Sequence, residues 1–227
     1  MKTVIITGGS SGIGASLARI FLSNNYKVIV IDVKENNDKN IVFEKADVCD
    51  FDVLEKLSSK YKDVDIIINN AAVQYVAPLK KLDNSKMKEM IDVNIIGVLN
   101  VTKAFIKNMK KGLIINVGST HADVARVNKI PYDMSKSAMQ IFTKELALEL
   151  EEDGIRTLCV EFGAVKTPMN DNFEDKDKEK EAICKQTINH ILTCDDCAKF
   201  IYALTLDEFK YMNGSIIKYD CGRSLKE

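Results

Sequence analysis

Short runs rich in valine and isoleucine alternate along this chain with longer segments in which apolar residues recur every three or four positions. A run of the first kind is a strand buried on both faces, and a segment of the second kind is an amphipathic helix. Seven runs read as strands: Val4 to Thr7, Lys27 to Asp32, Ile41 to Lys45, Asp65 to Asn69, Leu113 to Val117, Arg156 to Glu161 and Ser215 to Tyr219. With helices in the intervals, the pattern predicts βα units and a parallel sheet covered on both sides, an α/β fold. Gly8, Gly112, Gly154, Gly163 and Gly214 stand at the boundaries, where glycine relieves the cost of a turn or a helix stop. Between Asp32 and Asp47 there is room for a strand and a turn but hardly for a full helix, so one crossover is expected to be abbreviated.

Composition narrows the picture. The 227 residues are long for one domain, yet α/β domains of this size are common, and a single domain over 1–227 is the expectation. With 32 basic and 33 acidic side chains the net charge is -1, which gives no basic field to gather nucleic acid or a membrane surface. The start lacks the apolar run of a signal peptide and no later stretch is long enough to span a bilayer, so a cytoplasmic protein is expected. The six cysteines are then expected to be reduced. Cys194-Asp195-Asp196-Cys197 has zinc-ligand spacing but no second pair to complete it, and no metal is expected. The alternative is a helix capped by Thr193, with both aspartates in its first turn. Asp171 to Lys185, dense in mixed charge, reads as a solvated helix or mobile loop. It is also the segment that looks like a substrate lid, expected around residues 169–190.

Candidate chemistry begins right after the first strand. Gly8, Gly12 and Gly14 in Thr7-Gly8-Gly9-Ser10-Ser11-Gly12-Ile13-Gly14 allow a tight turn, close approach of backbone N–H groups to a pyrophosphate, and close helix–strand packing. Asp32 ends the second strand, where a carboxylate can bind both hydroxyls of an adenosine ribose. Tyr132 and Lys136 lie one helical turn apart on a helix that starts near Pro131, so they share a face. A tyrosine of ordinary pKa is a poor base at neutral pH, and the Lys136 ammonium is expected to lower it toward working range. Ser119 leaves the carboxyl end of a central strand and so points at the ligand crevice. Gln74, Tyr75, His121 to Asn128 and the chain from Met169 onward are expected at a substrate pocket. There His121 and Arg126 would suit a polar or anionic substrate, although either could equally face solvent.

The ordered set T-G-x-x-x-G-x-G from Thr7, Asn69-Asn70-Ala71-Ala72, Asn94, Ser119 and Tyr132-x-x-x-Lys136 resembles the short-chain dehydrogenase/reductase family over nearly the whole chain. The resemblance implies a three-layer doubly wound Rossmann fold with a seven-stranded parallel sheet, a nicotinamide cofactor and a small alcohol or carbonyl substrate. It implies Asn94, Ser119, Tyr132 and Lys136 as the catalytic set, with Ser119 binding the substrate oxygen and Asn94 anchoring a water that connects Lys136 to solvent. For the cofactor it implies Gly8, Ser10, Ser11, Gly12, Ile13, Gly14 and Asp32, with Asp47 and Val48 at the adenine. Asn70, Ala71 and Ala72 would line the ribose side beside Tyr132 and Lys136, and Val165 and Thr167 would hold the carboxamide. Three places depart from the family pattern: Gly118 where a serine is frequent, Phe162 in place of a proline before Gly163, and Asp220-Cys221-Gly222 where two glycines are usual.

Asp32, with Ser11 and Val33 where basic residues would favour a 2′-phosphate, predicts NAD(H) over NADP(H), with Lys34 the one cation at hand. A 3-oxoacyl-carrier-protein-type reductase using NADPH and a non-catalytic dinucleotide sensor are the alternatives. Met90 to Met109 and Tyr132 to Leu150 carry apolar residues over more than one face, which predicts a symmetric dimer or tetramer.

Overall fold

The computed structural model describes residues 1–170 and 175–226. Seven parallel strands form one sheet: β1 (Thr3–Thr7), β2 (Lys27–Asp32), β3 (Val42–Lys45), β4 (Ile66–Asn69), β5 (Gly112–Ser119), β6 (Ile155–Phe162) and, later in the chain, β9 (Ser215–Tyr219). Their spatial order is β3-β2-β1-β4-β5-β6-β9. The order reverses at β1, where one half of the sheet runs through β2 to β3 and the other through β4 to β9, and a crevice opens at such a switch point. Each of the seven predicted runs is a strand of this sheet, with ends shifted by a residue or two.

Side-chain alternation along the strands feeds two cores. Val4, Ile6, Val28, Val30, Leu158 and Val160 pack on one face with Leu17 and Phe21 of α1 (Gly12–Ser23) and Ile201 of α7 (Cys194–Ala203). Ile5, Ile29, Ile31, Ile67 and Ile114 pack on the other with Leu54 of α2 (Phe51–Ser58), Val101 and Phe105 of α4 (Gly97–Phe105) and Leu146 of α5 (Ile130–Glu149). The doubly wound three-layer fold follows from this two-sided burial. No helix lies between β2 and β3, so the crossover expected to be short is a loop.

Below the sheet's carboxyl edge, β7 (Val165–Lys166) pairs with β8 (Leu192–Thr193), and α6 (Lys176–Cys184) lies between them in sequence. Thr193 caps α7 through a reciprocal capping box with Asp196, as the Thr193 reading anticipated. Of the adjoining cysteines, Cys197 is buried, and Cys194 donates from Sγ to the Lys166 carbonyl. Part of the charged segment, residues 171–174, falls outside the described residues. No described helix is long and apolar enough to cross a membrane.

Candidate active site

At Gly8 and Gly14 the glycine-rich turn is shaped by contacts that leave no space for a side chain. A Cβ on Gly14 would stand 2.1 Å from the Gly8 carbonyl oxygen, and one on Gly8, itself at φ +65°, would stand 2.9 Å from the Ala71 Cα. Thr7 locks the two strand ends together, since its hydroxyl accepts from the backbone N–H groups of both Asn70 and Ala71 at 3.0 Å. Asn70 returns the tie by donating to the carbonyls of Thr7 and Gly8. The N-terminus of α1 has no side-chain cap and no acidic residue in its first turn. Side chains do cap α2, α6, α7 and the helix α3 (Asn84–Ile91): Asp50, Asp175, Thr193 and Asp83 each accept from the backbone. An uncapped helix start framed by glycines is a site for an anion.

The turn forms one end of a cleft of about 440 Å³ along the carboxyl edge of the sheet. Gly8, Ser11, Gly12, Ile13, Asp32, Asp47, Val48, Asn70, Ala71, Ala72, Val165 and Thr167 all line it, as do Ser119, Tyr132 and Lys136. Asp32 is aimed by two backbone donors, Ser10 N–H to Oδ2 at 3.0 Å and Lys34 N–H to Oδ1 at 2.9 Å. Three of the expected residues stand behind the lining. Ser10 acts through Asp32 and donates its hydroxyl to the Lys34 carbonyl, Gly14 serves packing, and Asn94 is buried.

Asn94 sits in a single π-helical turn, Asp92–Ile96, inserted between α3 and α4. Such a turn widens the helix locally and often marks a functional position. Its amide pairs twice with the Val73 backbone, accepting from N–H and donating to the carbonyl, both at 2.9 Å, and also donates to Ser135 Oγ at 3.1 Å. Asn94 therefore joins the loop after β4 to α5, directly beneath Tyr132 and Lys136.

Tyr132 and Lys136 are both buried on α5, with Pro131 in its first turn. Ser119 stands close enough to the phenol to favour its ionised form. The Lys136 ammonium lies 5.7 Å from the Tyr132 ring centroid and donates to the Val117 carbonyl at 2.9 Å. Burial pushes the Tyr132 phenol up to about 12, only partly opposed by Ser119, and pushes Lys136 down to about 8. The expected lowering of Tyr132 by Lys136 is thus reversed in the protein alone, because desolvation of the phenolate outweighs an ammonium directed at a carbonyl.

His121 packs edge-on to the Tyr132 ring at 5.3 Å, and its Nδ1 is 2.7 Å from Asp133 Oδ1. Burial, with Arg126 and Lys129 nearby, holds this imidazole down at about 4 despite Asp133, so it is neutral near pH 7. Asp133 then accepts a proton-bearing Nδ1, which leaves Nε2 as an acceptor. The pocket expectations hold for Gln74, His121, Met169 and Asn170, which line the cleft. They do not hold for Tyr75, whose hydroxyl instead accepts from the Asp83 N–H, or for Arg126. Beside Lys34 and Lys136, a third cation lining the cleft is Lys129, one residue beyond the segment singled out in sequence. Sequence reading also passed over Ala46, Val73, Val93 and Val117 as lining residues, because their apolar side chains carry no signal of that role, whereas Val33 and Lys34, singled out at the ribose, do line the cleft.

The departures from the family pattern are packed for. A Cβ on Gly118 would lie 2.8 Å from Cys159 Sγ and 3.0 Å from Glu161 Cγ, so the larger neighbours on β6 require the glycine. Phe162 is buried, borders the cleft and meets Tyr219 edge-on, while Tyr219 stacks on Phe200 at 4.2 Å. Cys221 and Gly222 both take left-handed backbone, φ 56° and 68°. Cys221 bears that conformation without being glycine, at a cost of about 1 kcal/mol.

The profile of the family described as short chain dehydrogenase matches residues 2–178. The chain is 33% identical over 241 aligned positions to a mitochondrial borneol dehydrogenase of Lavandula x intermedia, covering 99% of this chain and 91% of that protein. It superposes with TM-score 0.91 on a short chain dehydrogenase family protein from Francisella tularensis, 27% identical, with 99% of each chain covered. A 3-ketoacyl-(acyl-carrier-protein) reductase from Brucella melitensis, solved with NADH, gives TM-score 0.88 at 25% identity, with 98% of each chain covered. Ordered motifs, sheet topology and full-length similarity agree, and the chain belongs to the short chain dehydrogenase family.

Proposed function

We propose that this protein is an NAD(H)-dependent oxidoreductase that interconverts a secondary alcohol and a ketone, or an aldehyde, with Tyr132 as general acid and base. The observation that carries the reading is the convergence of Ser119, Tyr132 and Lys136 at one end of a cleft whose other end is the glycine turn and Asp32. The chain's residues fit a dinucleotide. The uncapped start of α1 takes the pyrophosphate, Asp32 accepts from both ribose hydroxyls, and Asp47 and Val48 flank the adenine. Asn70, Ala71 and Ala72 border the second ribose, and Val165 and Thr167 the carboxamide.

When bound there, a nicotinamide supplies the hydride acceptor or donor and, in its oxidised form, a positive charge beside the phenol. Ser119 holds the substrate oxygen, and Tyr132 removes the hydroxyl proton in oxidation and returns it in reduction. Lys136 keeps positive charge next to the phenolate as it forms, and Asn94 fixes the loop and helix that carry the pair. Met169 and Asn170 border the cleft, and the segment around 169–190 acts as a lid. That lid is moored by the Lys166–Glu179 ion pair and by the Thr187 and Ile188 N–H groups, which donate to the Cys221 carbonyl.

The preference for NAD(H) follows from charge. A 2′-phosphate beside Asp32 places like charges about 4 Å apart, which repel by roughly 4 kcal/mol at an effective dielectric near 20. About 1–3 kcal/mol survives solvent screening, or roughly ten- to a hundredfold in affinity. The NADH-bound reductase among the similar structures is consistent with the same choice here. It also keeps a 3-oxoacyl-carrier-protein-type activity as the second reading, which turnover of an acyl-carrier thioester would favour. The test is kcat/KM for NADH and NADPH across a panel of carbonyl substrates. Turnover with NADH favoured tenfold or more supports the reading; equal values or an NADPH preference contradict the role given to Asp32. Absence of any turnover would favour the sensor alternative.

A further inference from the structure

The substrate end of the cleft carries positive charge that hydride and proton transfer do not use. Lys129, the N-cap residue of α5, lines the cleft half-buried with its ammonium 6.0 Å from the Tyr132 ring centroid. Among the described residues this ammonium makes no hydrogen bond and no ion pair, which is unusual for a partly desolvated cation. Burial lowers the Lys129 pKa most, and the neighbouring Arg126 and Arg223 lower it further. At Lys129 their positive charge is opposed by Asp133.

Among the described residues, the acids nearby have other partners. Asp133 spends one oxygen on His121 Nδ1 and the other on the Arg126 backbone N–H. Asp220 accepts from the backbone of Gly222 and Ser224. Of the other acids on the cleft, Asp32 ends β2 and Asp47 lies in the β3–α2 loop, each held by backbone donors, and the exposed Glu89 lies one helical turn before Val93. Beside Lys129, the neutral His121 offers an acceptor and no competing charge.

We propose that the substrate carries a carboxylate within a few bonds of its reacting carbon, bound by the Lys129 ammonium in the field of Arg126 and Arg223. A second hydroxyl on the same molecule would donate to His121 Nε2. The favoured substrates are small hydroxy acids and their oxo counterparts. This rests on the oxidoreductase reading of the cleft and adds a specificity-determining residue to it.

The test is a calorimetric titration of the NADH-loaded protein with succinate, with its uncharged diamide and with inorganic phosphate, repeated on Lys129→Gln and Lys129→Arg. Succinate is expected to bind at least tenfold more tightly than the diamide. Lys129→Gln should abolish that preference while leaving the Kd for NADH unchanged, and Lys129→Arg should retain it. Equal binding of succinate and diamide, or a preference that survives Lys129→Gln, overturns the subsite. Phosphate binding more tightly than succinate overturns the choice of carboxylate. The titration needs no turnover, so its failure is separable from failure of the oxidoreductase reading, which shows as absent NADH oxidation.

Discussion

Tyr132 shows how a single side chain can be both well placed and poorly charged. Burial holds its phenol near 12, so in the proposed reaction its activation depends on positive charge brought beside it, of which Lys136, itself lowered to about 8, is the protein's own share. Asp32 is proposed to act by the opposite sign, and Asp32→Ala is expected to raise kcat/KM for NADPH relative to NADH by roughly ten- to a hundredfold, measured with both cofactors on one substrate. Glu161 is a cost without a catalytic return. It is 0% exposed, one carboxylate oxygen accepts from Gln140, and the other has no partner among the described residues. Burial raises its pKa, so the folded protein binds this proton more tightly than the unfolded chain does. Its contribution is therefore favourable below the unfolded value of about 4.3 and is lost as pH climbs through the folded value. Glu161→Gln is expected to raise Tm by a few degrees at pH 7 and to change it little near pH 4, which thermal melts at the two values would check. Residue chemistry of this kind was only partly legible in sequence. Asp32, Ser119, Tyr132 and Lys136 announce themselves by spacing, whereas Lys129 and Glu161 gain meaning only from what surrounds them in space.

The helical stretch from Asn84 to Phe105 illustrates what periodicity conveys and what it misses. Its apolar spacing predicts helix, and helix is found, but nothing in that spacing reveals the π turn at Asp92–Ile96 that aims Asn94 at Val73 and Ser135. The clue is the polar Asn94 itself, buried amid apolar neighbours, because a buried amide must find partners. Asn94→Ala is expected to destabilise the protein by about 1–3 kcal/mol by orphaning the Val73 backbone groups. It should also lower kcat more than it raises the Kd for NADH, as seen by comparing melts, turnover and cofactor titration. In the same way the strands were legible from their Val/Ile runs, while β7 and β8, two residues each, are too short to leave a pattern. Phe162 reads in sequence as the loss of a proline, and only the packing shows that Tyr219, itself stacked on Phe200, receives its ring.

At the scale of the whole molecule, an apolar hollow formed by Ile95, Leu99, Ala138, Met139, Ile141 and Phe142 lies on the outer side of α4 and α5. Leu99 is 43% and Ile141 56% exposed, more apolar surface than covering the sheet explains. A second copy meeting this face by two-fold symmetry is the expected cover. Light scattering should then show a dimer or tetramer at micromolar concentration and a monomer for Leu99→Glu combined with Ile141→Glu; a monomeric parent protein would contradict the assignment. Within one chain, the cofactor cradle and the Tyr132 pair sit on different strands and helices, and the sheet's switch point brings them to one cleft. The most direct test of the account is therefore the turnover of Tyr132→Phe beside its NADH affinity. The variant should bind NADH with nearly the parent Kd and fall roughly 10²–10⁴-fold in kcat on a substrate the parent accepts, because only proton transfer is removed. Near-normal turnover by Tyr132→Phe would contradict the assignment of Tyr132 as the proton-transfer group.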